Sequence, residues 1–325
     1  MGLLNFILGR RSKAASPSAL PGASLFEDRY FTLEKPHWFG PCSRSPNGRW
    51  LISWRDTDID GNRGGHRNSG KGAYLLYDTH AKRVVVQGHL ERPNHGHVAD
   101  NGIFVLEDWL FVDDLAGTFY AFAPQGQVLL KRKVTANLAS SAISPNGKYA
   151  VCQTNNSGTE DSFSLFLFDL QSGEELFHAE PSAGWTMDYT IDEARTEVLA
   201  HFKNLGTFRY DRNGQFLDSA LLEEARLHRG DFSDTILTAE RILQHAKPAP
   251  ERVRQVLAAV QRARKEGADR DNGWKATALK VQGLAHEALG ETSLAIDIYE
   301  QALAINPKIG VKRRLTALKK RQLQE

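Results

Sequence analysis

Ser45-Pro46-Asn47-Gly48-Arg49-Trp50 runs into Leu51-Ile52-Ser53-Trp54, and Ser144-Pro145-Asn146-Gly147-Lys148-Tyr149 runs into Ala150-Val151-Cys152. The two strings repeat one message in nearly the same letters. Proline presets the first dihedral of a tight turn, and Asn and Gly tolerate the positive φ that closes it. Each turn then delivers the chain into a strand-like run. A turn that recurs in this way marks a repeat, and a repeat decides the fold before any single element does.

A second mark is a strand that closes on an aromatic before a polar turn. It appears as Tyr74-Leu75-Leu76-Tyr77-Asp78, Thr118-Phe119-Tyr120-Ala121-Phe122, Leu165-Phe166-Leu167-Phe168-Asp169 and Thr207-Phe208-Arg209-Tyr210-Asp211. The closing aromatics Tyr77, Phe122, Phe168 and Tyr210 are spaced 45, 46 and 42 residues apart. Strand-like runs precede and follow these marks, for example Gly102-Ile103-Phe104-Val105-Leu106 before and Val128-Leu129-Leu130 after. The unit is four short strands, repeated about four times between Phe39 and Leu217, and its period fits one propeller blade.

Ser-Pro-Asn-Gly and Phe168-Asp169-Leu170-Gln171-Ser172-Gly173-Glu174 resemble repeats of the β-propeller superfamily of the YVTN, TolB and quinoprotein-like kind, over roughly residues 40–217. The Trp-Asp mark of WD40 repeats is absent. The resemblance implies architecture and no particular function, and another all-β repeat or a sandwich stays open. Four blades are few for a closed ring. Either Arg29-Tyr30-Phe31-Thr32-Leu33-Glu34 supplies an outer strand to the last blade, or the array is open and a partner or second copy completes it.

After Leu217 the apolar spacing changes from two residues to about 3.6. Helices are expected near 218–228, 233–246, 250–265, 274–289, 292–305 and 308–323. Pro250 suits a first helical turn and Gly267 a stop. From Ala276 to Pro307 the chain carries Leu279, Gly283, His286, Ala288-Leu289-Gly290, Ala295, Tyr299, Ala302 and Asn306-Pro307. This resembles one tetratricopeptide repeat (TPR), with Gln282 in place of an apolar residue and His286 in place of Tyr. Small residues at 283, 295 and 302 let two helices approach, and Tyr299 fills the space between them. One such pair cannot bury its faces alone, so the earlier helices are expected to stack on it. The resemblance implies a peptide-binding groove lined by Thr277, Lys280, Leu284 and Glu287; packing on the propeller is the competing use of that face.

The 325 residues carry 41 basic and 39 acidic side chains, a net charge of +2, and 41% hydrophobic residues. That is ample for packed cores, and the near-balance argues against a general nucleic-acid binder. Charge concentrates at the end, where Lys308, Lys312, Arg313, Arg314, Lys319, Lys320 and Arg321 have no acid among them. At the other end, Leu3-Leu4-Asn5-Phe6-Ile7-Leu8 precedes Arg10, Arg11 and Lys13, followed by a Ser/Ala/Pro-rich linker over 12–24. Apolar-then-basic order is wrong for a secretory signal, and the run is too short to span a bilayer. It reads as a short interfacial anchor or as a loose tail. Cys42 and Cys152 match no zinc spacing, and so sparse a cysteine content suits a reducing compartment.

Asp56-Thr57-Asp58-Ile59-Asp60-Gly61 looks like the front half of a calcium loop, with carboxylates at alternate positions and a turn glycine. Its closing position is Arg67, so a solvated hairpin loop is the competing reading. His95 and His97, two residues apart on a strand, share a face and come near His89 and Asp100 in sequence, but spacing fixes no third zinc ligand. Nucleophile-elbow and phosphate-loop motifs are absent.

The expectation is therefore β and α in separate domains: a tail over 1–24, propeller-like sheets over 25–217, and a TPR-like helical domain over 218–325. Function is expected to be non-catalytic, without a cofactor: a cytoplasmic scaffold whose partner is another protein. Two alternatives are a membrane-surface adaptor anchored by residues 1–11, and a metal-dependent propeller hydrolase built on Asp56, Asp58, His95, His97 or Asp100.

Overall fold

The computed structural model describes residues 22–57, 71–110, 115–245 and 248–324. The chain divides into two compact units, residues 1–175 and 176–325. Among the described residues four antiparallel sheets come first and six α-helices follow.

The first unit opens with β1 (Ala23–Phe26), β2 (Tyr30–Leu33), β3 (Trp38–Arg44), β4 (Trp50–Arg55), β5 (Gly72–Asp78) and β6 (Arg83–Leu90), joined in that order into one sheet. The second sheet holds β7 (Pro93–Val98), β8 (Phe104–Asp108), β9 (Gly117–Phe122) and β10 (Val128–Val134). The third holds β11 (Leu138–Ile143), β12 (Tyr149–Thr154), β13 (Leu165–Asp169) and β14 (Glu174–Ala179), and the boundary between units falls inside β14. Central strands such as β5 and β12 are buried on both faces, whereas β6 and β10 are half exposed. The cause is face-to-face packing. Trp50, Ile52, Tyr74 and Leu76 of the first sheet share a core with Phe104, Leu106 and Phe122 of the second. Val105, Phe119 and Ala121 share another with Ala150, Cys152, Phe166 and Phe168 of the third.

The Ser-Pro-Asn-Gly turns do what their letters require. Gly48 and Gly147 sit at φ of +73° and +71°, and each donates its N–H back to the serine carbonyl, at 2.8 and 2.9 Å. The serine hydroxyls accept the N–H of Trp50 and Tyr149. The second sheet has the same turn in different letters. In Ala99-Asp100-Asn101-Gly102, Gly102 has φ of +83° and donates to Ala99 O at 3.0 Å. These turns also latch neighbouring sheets: Asn47 N donates to Asp100 Oδ1 at 2.7 Å, Trp50 Nε1 to Asp100 O at 3.1 Å, and Asn101 Nδ2 to Asn146 O at 2.6 Å.

One expectation is corrected. The strand near Arg29–Glu34 does not extend the last sheet; as β2 it lies between β1 and β3. β3 makes this possible by changing partner along its length. Trp38–Pro41 pairs with β2, and Cys42–Arg44 pairs with β4.

After the end of β14 the second unit has a three-stranded sheet, β15 (Asp188–Asp192), β16 (Glu197–Phe202) and β17 (Gly206–Tyr210), in that order. In place of a fourth strand there is a single bridge between Tyr210 and Phe216. The helices are α1 (Ser219–Arg229), α2 (Phe232–His245), α3 (Pro250–Glu266), α4 (Asn272–Ala288), α5 (Thr292–Ile305) and α6 (Lys312–Gln322). The last starts four residues later than its periodicity suggests, because an Asx turn on Asn306 and Gly310 at φ +87° take up the intervening chain. α4 and α5 close on Tyr299, which is fully buried and whose hydroxyl donates to Glu287 Oε2 at 2.8 Å. The two unusual letters both have partners. Arg264 donates to the buried Gln282 Oε1 at 2.7 Å, and His286 Nδ1 lies 2.5 Å from Glu291 Oε2. Among the described residues no helix is long and apolar enough to cross a membrane.

Candidate partner-binding surfaces

The four side chains expected to line a peptide groove on α4 all have partners inside the helical region. Leu284 is in the core beside Ala295, Ile296 and Tyr299. Lys280 Nζ pairs with Glu240 Oε1 of α2 at 2.6 Å. Glu287 takes the Tyr299 hydroxyl and an Arg314 ion pair at 3.1 Å. Thr277 Oγ1 bonds back to Gly273 O at 2.9 Å. On the basic last helix, Arg314 and Lys319 pair with Glu287 and Glu300, and Leu318 is buried beneath them.

Of the carboxylates expected to hold a cation, Asp58 and Asp60 lie outside the described residues. Asp56 Oδ2 is 3.4 Å from Arg92 Nε. Among the described residues no three His, Cys, Asp or Glu side chains are grouped to hold a metal ion. Cys42 and Cys152 are free thiols.

His95 and His97 do share a face of β7, with ring centroids 4.7 Å apart. Their surroundings come from three sheets. Trp54 of β4 meets the His95 ring edge-on, and Glu107, opposite His95 on β8, reaches toward it at 3.6 Å. Glu107 is 1% exposed, accepts the Ser141 hydroxyl at 2.7 Å and accepts Trp109 Nε1 at 3.2 Å. Burial alone raises a glutamate's pKa. Here the His95 ring, which carries a charge when protonated, together with Ser141 and Trp109, outweighs burial and holds Glu107 below the usual range. Asp100 is occupied elsewhere, in the turn latch with Asn47. The cluster thus joins a half-exposed imidazole to a fully bonded buried anion.

A second surface lies within the second unit, where the β16–β17 hairpin faces α1. It is a groove of about 460 Å³ with Leu205, Phe208, Leu221 and Ala225 on its walls and Glu224 and Arg229 among its polar lining. Leu205, Phe208 and Ala225 are buried, but Leu221 is 61% exposed. Hydrogen bonds tie the hairpin and α1 to their neighbours. Arg209 clamps Asp218, the residue before α1, through Nε to Oδ2 at 2.9 Å, Nη2 to Oδ1 at 2.8 Å and its backbone N–H to Oδ2 at 2.8 Å. Those bonds from Arg209, outweighing burial, hold Asp218 below the ordinary aspartate range. From α1, Arg226 Nη2 donates to Ala183 O at 2.6 Å, and the Ala183 N–H donates to Tyr210 Oη at 2.8 Å. A volume of this size accommodates several side chains of a bound segment. Sequence reading missed it because Leu221 looks like any apolar letter on an amphipathic helix.

No family model matches the chain, and no curated protein matches it. Among solved structures, the computationally designed Ika8 protein aligns with a TM-score of 0.38 at 13% identity, over 55% of this chain and 48% of that one. The computationally designed Ika4 protein aligns at 0.36 and 11% identity, over 52% and 88%. The chain therefore spans about half the length of the Ika8 protein. Scores this low fix neither fold family nor function.

Proposed function

We propose that the chain is a non-catalytic, cytoplasmic scaffold that binds another protein. In this reading the four sheets are blades of a propeller-type array and α4–α5 is a tetratricopeptide-type pair. The observation that carries the binding claim is the groove beside α1, where a leucine stands 61% exposed on a wall braced by the Arg209–Asp218 clamp. An exposed apolar side chain at a rigid, concave position with a polar rim is what an apolar segment of a partner recognises. The two free thiols are in keeping with a reducing compartment.

The test is capture from native lysate by the full chain, with quantitative mass spectrometry, comparing wild type with Leu221→Asp. Leu221 makes little of the core, so the variant should fold normally by circular dichroism. A protein enriched by wild type and depleted about tenfold or more with Leu221→Asp supports the groove. Equal capture by both proteins refutes it.

A further inference from the structure

The sheet of the second unit is one strand short. The other three sheets hold six, four and four strands, and this one holds β15, β16 and β17, with β17 at its edge. A fourth strand starts and stops at once. Phe216 bridges Tyr210, Leu217 donates its N–H to Arg209 O at 2.9 Å, and Asp218 then turns the chain into α1. Both outward main-chain groups of Arg209 are taken here, its own N–H going to Asp218 Oδ2 at 2.8 Å. Along an antiparallel strand these groups point alternately to the two sides, so those of Thr207, two residues earlier, face outward as well. His201, opposite Thr207 on β16, agrees: its carbonyl accepts the Met187 N–H on the far side at 2.9 Å. Among the described residues the Thr207 N–H and carbonyl have no partner.

This open edge is one wall of the groove beside α1, where Gly206, Thr207 and Phe208 stand opposite Leu221 and Ala225. An unpaired strand edge is a template for another strand. An added segment finds one donor and one acceptor at Thr207, and its alternate side chains point to the Leu221 and Phe208 side. The charges of the groove are unequal. Glu224 is neutralised by Arg252 and lies 3.3 Å from His228. Arg229 has no ion pair among the described residues, and its Nη2 is 3.9 Å from where a Cβ on Gly206 would lie. A free cation at the Gly206 end of the open edge is the complement of a carboxylate.

We propose that an extended segment of a protein partner completes this sheet, pairing with β17 as the fourth strand that the chain itself abandons at Leu217. The proposal rests on the groove beside α1 as the binding surface and names what that groove takes. The segment runs antiparallel to β17, as Phe216 does, and bonds to the Thr207 N–H and carbonyl. It sets an apolar side chain against Leu221 and Phe208 and an Asp or Glu against Arg229. A helical segment cannot supply the main-chain pair, because its own groups are already bonded to one another.

The probe is a random-peptide phage library panned on the full chain. The best binders are made as fluorescent peptides and titrated, by anisotropy, with wild type, Leu221→Asp, Thr207→Pro and Arg229→Glu, each checked for folding by circular dichroism. The expected peptides carry an acidic residue beside alternating apolar ones, and each substitution weakens them about tenfold or more. Proline at 207 removes an outward N–H and leaves the β16 ladder whole. If that variant misfolds, N-methylation of the peptide makes the same test from the other side: a methyl on the amide that donates to Thr207 O should weaken binding about tenfold. Changing the peptide's acid to lysine should restore binding to Arg229→Glu. Peptides that need Leu221 but bind Thr207→Pro as well as wild type, or tolerate every N-methyl group, overturn strand addition and leave the groove itself standing. Peptides indifferent to Leu221→Asp refute the groove, and the proposal with it. A library that yields no binder overturns the proposal, while capture from lysate that depends on Leu221 would still uphold the groove.

Discussion

Replacing Gly283 by alanine puts a methyl group where the Tyr299 ring already lies. A Cβ built at 283 falls 2.5 Å from Tyr299 Cδ1 and closer still to Cε1. Two effects oppose each other. Alanine in a helix interior gains about 1 kcal/mol over glycine. Overpacking a buried site costs about 1–3 kcal/mol, and this ring is fully buried with its hydroxyl tied to Glu287. Overlap wins, so Gly283→Ala should lower helical stability by up to about 2 kcal/mol. In a Tyr299→Leu background the ring is gone, and the same substitution should stabilise by up to about 1 kcal/mol. Urea titration followed at 222 nm on the four proteins closes the cycle. Its coupling term should equal the overlap, about 1–3 kcal/mol. If alanine stabilises both backgrounds equally, the close α4–α5 approach is wrong.

Three further outcomes follow from the same geometry. Glu107→Gln should cost about 1–3 kcal/mol at pH 7, by weakening a buried carboxylate that accepts hydrogen bonds from Ser141 and Trp109. Since the folded-state pKa of Glu107 is depressed, its contribution is complete above the ordinary glutamate pKa and fades as pH falls through the lowered value. The wild-type advantage in urea should accordingly shrink on acidification below about pH 4; a constant gap would contradict the assignment. Asp100→Ala removes the acceptor for Asn47 N and should raise hydrogen exchange at residues 45–48 well before global unfolding, while unchanged exchange there would dismiss the latch. Burial pushes the Cys42 thiol up to about 11 and the Cys152 thiol well above its ordinary value. Neither should react with an aromatic disulfide at pH 8 until urea is added, and rapid native labelling of Cys152 would contradict its place in the core.

Much of the scaffold was legible in the letters because a few residues have one physical use. Asn-Gly after Ser-Pro demands positive φ, and Gly48 and Gly147 adopt it. Gly283, Ala295 and Tyr299, read through the resemblance to a tetratricopeptide repeat, pointed to a close helix pair, and the volumes of these residues explain it. The third turn, Ala99-Asp100-Asn101-Gly102, was not legible because only Asn-Gly survives in it, and Asp100 there looked like chemistry when it is a latch. The strand at 29–34 is legible but its sheet is not: as β2 it lies between β1 and β3, because pattern reveals that a strand exists, not which strands it pairs with. The groove beside α1 depends on which apolar residues are left uncovered. That is a property of packing, and Leu221 reads no differently from Leu222, which is buried.

The most direct measurement places a photo-cross-linking phenylalanine analogue at Leu221 and, separately, at Leu294, which is 49% exposed on α5. Each full-length protein is irradiated in native lysate, and its adducts are identified by mass spectrometry. A protein partner joined at 221 and not at 294 is the predicted result. The same weak, mixed set of adducts at both positions would contradict a specific partner-binding groove.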